Sequence, residues 1–272
     1  QKRVEDVVLE MTIYFHEKTG LDSLCLAGGV AMNSKMNGRI LQESPFKNVW
    51  LPSSADDAGC SLGACFFYWN QILGHERQFV LEHDYWGPGF TNDDIKNTLE
   101  NSLLSYEYLE HPEKKAAQSI ANNKIIGWFQ GKMEFGQRAL GNRSILADPR
   151  DPDMKDKINR LIKHREWYRP FAPSVLQEFQ KDYFEIDQPV PFMEKVSVVR
   201  EKKRKEIPAV VHEDQTGRLQ TIIKKENPRY WKLVDEFRKI TNTPVVLNTS
   251  FNDNDEPIVC TPKDAFRSFF GL

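Results

Sequence analysis

The chain has 272 residues, 40% of them hydrophobic and 11% aromatic, enough for one large domain or two ordinary ones with real cores. Its 37 basic and 39 acidic residues leave a formal charge of -2, which supplies no global field for nucleic acid or an anionic membrane and speaks against both as partners. No apolar run approaches the roughly 20 residues that cross a bilayer and residues 1–20 lack a signal-peptide core. Cys25, Cys60, Cys65 and Cys260 form no CxxC pair, which predicts buried free thiols in a reducing, cytoplasmic setting.

In chain order, periodicity predicts a helix over 4–18, a strand over 21–27, a helix over 30–42, a short strand over 47–51 and a helix over 58–73. The polar, aromatic stretch from Gly74 to Asp94, with Gly87 and Gly89 around Pro88, is the expected domain boundary. Beyond it come a helix over 92–101, a strand over 104–109, a helix over 111–122, a strand at KIIGWFQ and a helix around 152–165. Strand-like AVVH, the amphipathic helix PRYWKLVDEFRKITN, strand PVVLN and a helix opening at Thr261 and Pro262 complete the chain. This alternation predicts an α/β fold, and the run Arg200–Lys205 reads as a solvated loop. Helical periodicity begins at residue 3 and an apolar helix-like run closes the chain, so an excised piece of a longer protein is expected.

Residues 131–170 carry ten Lys or Arg against six Asp or Glu. Arg138, Arg143, Lys163, Arg165 and Arg169 stand among Gly131, Gly136 and Gly141. Guanidinium groups grip phosphate oxygens bidentately and glycines let backbone come close to them, so the stretch reads as a polyanion pocket. Lys163 and Arg169 straddle the expected end of a helix, with Pro170 and Pro173 fixing the path that follows. A strand that ends at Gly28 and Gly29 before a helix reads either as an anion-binding turn or as a plain tight turn. Neither GxGxxG nor GxxxxGK[ST] is present. Asp56 and Asp57 open a small-residue helix, where one carboxylate serves as an N-cap or as a metal ligand. The six histidines show no HxxxH or HxH spacing. Arg218 follows a turn at Gly217, and Asn248, Thr249, Ser250 and Asn252 end a strand, a usual place for ligand recognition in α/β folds and equally for an Asx turn.

The stretches LAGGVAMN, DDAGCSLGA, GKMEFGQRALGNRSILADPR, IKHREWYRPFAPS, VVHEDQTGRLQTI and PVVLNTSFNDNDEPIV together resemble the O-carbamoyltransferases of the NodU/CmcH type over nearly the whole chain. The resemblance implies the last part of an actin-like, Kae-type carbamoyl-transfer domain at 1–75, a connector at 76–100, and a YrdC-like domain at 101–272. The YrdC-like domain of that family takes carbamoyl phosphate and ATP, with Mg2+ accompanying the nucleotide, and makes carbamoyl adenylate. The Kae-type domain passes the carbamoyl group to a hydroxyl of a small-molecule acceptor. By the same resemblance Arg138, Lys163 and Arg169 are catalytic, with Arg143 beside them at the phosphates and Arg218 as a further phosphate-binding arginine. Asn248, Ser250 and Asn252 are similar to a nucleotide-binding signature, and Gly28 and Gly29 to part of an adenylate-binding turn. Asp57 resembles the carboxylate ligand of the family's iron, whose histidine ligands belong upstream of Gln1, so iron is not expected to be retained here. Two anions brought together need fixed cations rather than a nucleophile, so His212 is not nominated as a base. The competing expectations are an RNA- or nucleotide-binding module without turnover, and threonylcarbamoyl-adenylate synthesis.

Overall fold

The computed structural model describes residues 1–271. Helix α1 (Lys2–Thr19) stops at Gly20, whose φ of 65° lets its N–H return to the His16 carbonyl at 2.8 Å. Strands β1 (Ser23–Cys25) and β2 (Asn48–Trp50) pair in parallel, Leu24 opposite Val49, with α2 (Ser34–Glu43) crossing between them. Met36, Ile40, Phe46, Val49 and Leu51 form the core of this unit, and Val8 of α1 packs against it. The helix expected over 30–42 is broken: Gly29–Met32 is a tighter 3-10 turn, and α2 begins only after Asn33, whose side chain accepts the Met36 N–H at 3.2 Å. An Asn that offers the backbone a local acceptor starts a helix rather than sitting inside one.

Helix α3 (Cys60–Phe67) runs on into a π turn at Tyr68–Ile72. None of its residues is buried, so Cys60 and Cys65 are exposed, as is Cys25, and Cys260 is half-buried. The thiols expected in a core are not there. The following stretch to Gly89 lies along the second region: Gly87 donates to the Met133 carbonyl, Met133 to that of Pro88, and Phe135 to that of Asp84.

That second region holds α4 (Asn92–Asn101), α5 (Pro112–Ala121), β3 (Ile126–Phe129), β4 (Arg143–Ala147), α6 (Met154–Leu161) and β5 (Ala172–Leu176). It continues with α7 (Gln180–Tyr183), β6 (Ser197–Val198), α8 (Glu201–Arg204), β7 (Thr216–Gly217), β8 (Gln220–Ile222), α9 (Pro228–Thr241), β9 (Val245–Ser250) and α10 (Pro262–Gly271). Five strands make a mixed sheet in the order β3-β4-β9-β5-β8, antiparallel except for β5 with β8. Leu146, Leu176, Ile222 and Val246 face α5 and α9, whose Ile120, Leu233 and Phe237 are wholly buried. Ala147, Val175, Val245 and Leu247 face the other way, onto Met154 and Ile158 of α6 and the excursion through Tyr183 and Val210. A sheet covered on both faces explains why PVVLN reads as an unbroken apolar run. Each of the large buried side chains contributes about 2 kcal/mol.

Three further expectations fail for physical reasons. The strand foreseen over 104–109 is irregular, with Tyr106 and Tyr108 exposed: alternation permits a strand, but this stretch pairs with no described strand. AVVH turns as a 3-10 element at Pro208–Val210, started by the fixed φ of Pro208. The basic run at 200–205 contains one helical turn, α8, instead of a loop. No described helix is long and apolar enough to cross a membrane.

Candidate active site

The loop between β3 and β4 is folded by one carboxylate. Glu134 Oε1 accepts the N–H groups of Leu140 at 2.6 Å, Asn142 at 2.8 Å and Arg143 at 3.3 Å. Gly141, at φ 105°, passes so close to Tyr230 that an added Cβ would lie 2.2 Å from the ring. Gln130, Asn142 and Asn227 close the loop's base with side-chain amide bonds of 2.8 and 2.9 Å. The curl thus formed puts Arg138 into a cavity of about 350 Å3.

Arg165 and Arg169 enter the same cavity from the segment after α6. His164, in the left-handed region at φ 42°, turns the chain there. Asn159 then organises the segment, accepting Arg165 Nε at 2.8 Å and donating to the Arg169 carbonyl at 3.0 Å. Arg165 also lies 4.8 Å over the Phe171 ring. Arg218 arrives from the other side, after a turn in which the His212 N–H reaches the Thr216 carbonyl at 2.8 Å. Lys35 and Ser34, at the start of α2, complete the wall with His212 and Asp214.

The lining therefore sets five cations, Lys35, Arg138, Arg165, Arg169 and Arg218, against one carboxylate, Asp214. Burial, with Arg138 and Arg165 adding like charge, pushes the Arg218 guanidinium down to about 9. Burial lowers Arg138, and burial with Arg169 lowers Arg165. Burial opposes ionisation of Asp214, yet Lys35 at 2.8 Å and Thr216 hold it at about 2. Arg169 pairs with Glu166 at 2.8 Å near the rim. Cations that depress one another are relieved by an anion.

Of the residues singled out in the sequence, Arg138, Arg169 and Arg218 meet here; Arg165, named in the basic stretch, joins them. Lys35 and His212 were not foreseen as members. Arg143 is elsewhere: wholly buried, its guanidinium lies 3.6 Å from the Phe129 ring centroid and donates to the carbonyls of Gln130, Asn142, Gly131, Pro88 and Cys260. It cannot reach a ligand in the cavity, and its charge is spent on backbone dipoles. Lys163 does not line the cavity either. Its ammonium donates to the Ser250 carbonyl at 2.7 Å and to the Asn252 carbonyl and Oδ1 at 2.8 Å, so three of the expected residues do meet, as a loop clasp. Burial, with Arg165 adding to it, pushes that ammonium down to about 7. Asn248 is buried behind the cavity loop, donating to the Ala139 carbonyl, Ser174 Oγ and Gln220 Oε1.

A second cavity, also about 350 Å3, holds Gly28, Asp56, Asp57 and Cys60 together with Phe135. Gly28 stands at φ 100° and its N–H reaches the Ala55 carbonyl at 2.6 Å; Gly29 opens the 3-10 turn. Neither aspartate caps the helix through its side chain; Asp56 instead accepts a short hydrogen bond from Gln137 Nε2. Asp57 is exposed, and no three His, Cys, Asp or Glu side chains converge as ligands among the described residues. The donor set of the described residues does not fit an iron centre.

A mixed sheet covered on both faces thus frames a cavity walled by cations. The chain belongs to the carbamoyltransferase family: residues 1–66 match the model described as carbamoyltransferase N-terminus and residues 117–272 that of the carbamoyltransferase C-terminus. It is 44% identical to nodulation protein NolNO of Sinorhizobium fredii, covering 99% of this chain and 40% of that protein. It is 42% identical to nodulation protein NolO of Bradyrhizobium diazoefficiens, covering 99% and 50%. The chain thus spans about half the length of the curated relatives it matches. The crystal structure of full-length HypF in its phosphate- and nucleotide-bound form overlaps 61% of this chain and 20% of its own, at TM-score 0.44 and 17% identity, a likeness too slight to bear on the site.

Proposed function

We propose that the cationic cavity activates carbamoyl phosphate with ATP, in a carbamoyltransferase whose residues 1–75 contribute part of the domain that passes the carbamoyl group to a hydroxyl acceptor. The convergence of Arg138, Arg165, Arg169, Arg218 and Lys35 around a single carboxylate supports this reading. Water cleaves carbamoyl phosphate to carbamate and phosphate. A carbamate oxygen then attacks the α-phosphorus of ATP, presented as its Mg2+ complex. The bond to the pyrophosphate oxygen breaks, leaving carbamoyl adenylate and pyrophosphate. Two anions must approach, and fixed guanidinium groups offset that repulsion and hold the line of attack. Residues 101–272 form the adenylating part, and 76–100 connect it to the transfer part.

The test is pyrophosphate release by the purified chain in the presence of ATP and Mg2+. Release that requires carbamoyl phosphate is expected, with Arg138→Ala and Arg218→Ala each lowering kcat/KM by about 100-fold or more. Release that proceeds without carbamoyl phosphate, or that requires threonine, would refute the assignment.

A further inference from the structure

Lys and Arg side chains offer donors only. A wall of them suits phosphate oxygens but cannot recognise an –NH2 group, which is itself a donor. Hydroxyls such as that of Ser34 both give and accept, so they do not discriminate.

His212 is different, because its neighbours fix its proton. Thr216 Oγ1 lies 2.5 Å from Asp214 Oδ1 and 3.2 Å from His212 Nδ1. Asp214, held ionised by Lys35, only accepts, so the single hydroxyl proton of Thr216 goes to it. His212 Nδ1 must then donate to Thr216 Oγ1. The proton sits on Nδ1 and Nε2 carries a bare lone pair. Nε2 is buried and has no partner among the described residues, although its ring lines the cavity. Burial is the main cause that keeps this imidazole neutral, down to about 4; Arg218, Lys35 and Lys155 act in the same sense against Asp214.

Resting on the carbamoyl phosphate reading above, we propose that His212 Nε2 accepts a hydrogen bond from the carbamoyl –NH2. This residue is thereby the means by which the cavity separates carbamoyl phosphate from acyl phosphates that have no N–H. The arginines hold the phosphate and are indifferent to what it carries. His212 takes no proton and forms no bond to the substrate; it determines specificity by its tautomer.

Two stable phosphonates isolate this contact. Phosphonoacetamide and acetonylphosphonate differ only in –NH2 against –CH3. Titration calorimetry on the wild-type chain is expected to show phosphonoacetamide bound about fivefold to tenfold more tightly, the worth of one added hydrogen bond. His212→Leu should bring that ratio to about one, with inorganic phosphate titrated on the same variant to report the cation wall separately. His212→Gln, which keeps an acceptor oxygen at the end of its side chain, should retain part of the preference and guards against a variant that merely misfolds. Equal wild-type affinity for the two phosphonates, with phosphate still bound, overturns the inference and leaves the polyanion cavity standing. Parallel loss of phosphate and both phosphonates in His212→Leu also overturns it, since the ring would then only support the cations. A wild-type chain that binds no phosphate at all overturns the proposed function with it.

Discussion

Arg138 and Arg143 lie five residues apart and have opposite fates. Arg138 faces the cavity with burial alone lowering it, whereas Arg143 is a staple for five backbone carbonyls around the base of the same loop. Replacing the planar fork by a point charge leaves buried carbonyls unpaired. Arg143→Lys is therefore expected to lower unfolding free energy by about 3 kcal/mol, read as a fall in the urea midpoint, while the folded fraction keeps its affinity for phosphate. Loss of phosphate binding without loss of stability would instead place Arg143 at the ligand. In the sequence the two arginines look alike, because burial is a property of the tertiary structure. The basic, glycine-punctuated stretch singled out Arg138 and Arg169, which the structure brings together with Arg218. It could not mark Lys35, which comes from α2 and meets Asp214 across 179 residues of chain. Nor could it mark the tautomer of His212, which depends on a hydroxyl and a carboxylate arranged in space.

At the scale of elements, α2 is the piece that brings Lys35 to the cavity, and it does so by direct backbone contact. Val196 donates its N–H to the Ser34 carbonyl at 3.0 Å, and Asn37 donates to the Glu194 carbonyl at 2.9 Å. A Cβ on Gly38 would meet the Val196 carbonyl oxygen at 2.0 Å. Glycine inside a helix normally costs about 1 kcal/mol relative to alanine, so its presence here marks the close approach. Gly38→Ala is expected to destabilise the protein by about 1–3 kcal/mol despite better helix propensity, and to weaken phosphate binding as Lys35 withdraws. Gly63→Ala on α3, where a Cβ meets nothing within 4 Å, is the control and should be neutral or stabilising in the same thermal melts. Equal effects at both sites would dismiss the contact. Strands β3 and β9 and both long helices were legible because apolar periodicity is a local signal, whereas β4, β5 and β8 were not foreseen: Arg143, Ser144, Pro173, Ser174, Gln220 and Thr221 interrupt the apolar pattern of those wholly buried strands. The stretch at 104–109 misled because alternation shows only that a strand is possible; pairing decides whether it forms.

Across the whole molecule, the seam between the first and second regions carries a buried acid. Asp84 is almost fully buried beside Gly136, and its Oδ1 has no partner among the described residues. Burial, opposed by Ser53 and reinforced by Glu134, pushes its carboxyl up to about 7. The folded state thus holds a proton that the unfolded chain releases near 3.8, so this contribution is complete below that value and is lost as pH rises through about 7. Stability is expected to decline across that window, and Asp84→Asn should flatten the decline in denaturant midpoints measured at pH 5 and pH 8. An unchanged slope in the variant would assign the dependence to Glu134, which burial also raises. The acid at the seam was not readable in the sequence, since Asp84 looks like any polar connector residue until the loop from 131 to 142 closes over it.

That loop faces two ways. Phe135 lines the cavity of Gly28 and Asp57, Gln137 donates to Asp56, and Arg138, the next residue, lines the cationic cavity. A chimaera that joins the first 66 residues of one relative to the C-terminal part of another therefore inherits a lock whose key was cut for a different door. Positions 135–138 must be transplanted together with Ser53 and Asp56, just as Ser34, Lys35 and Gly38 of α2 must travel with Val196 and Asp214.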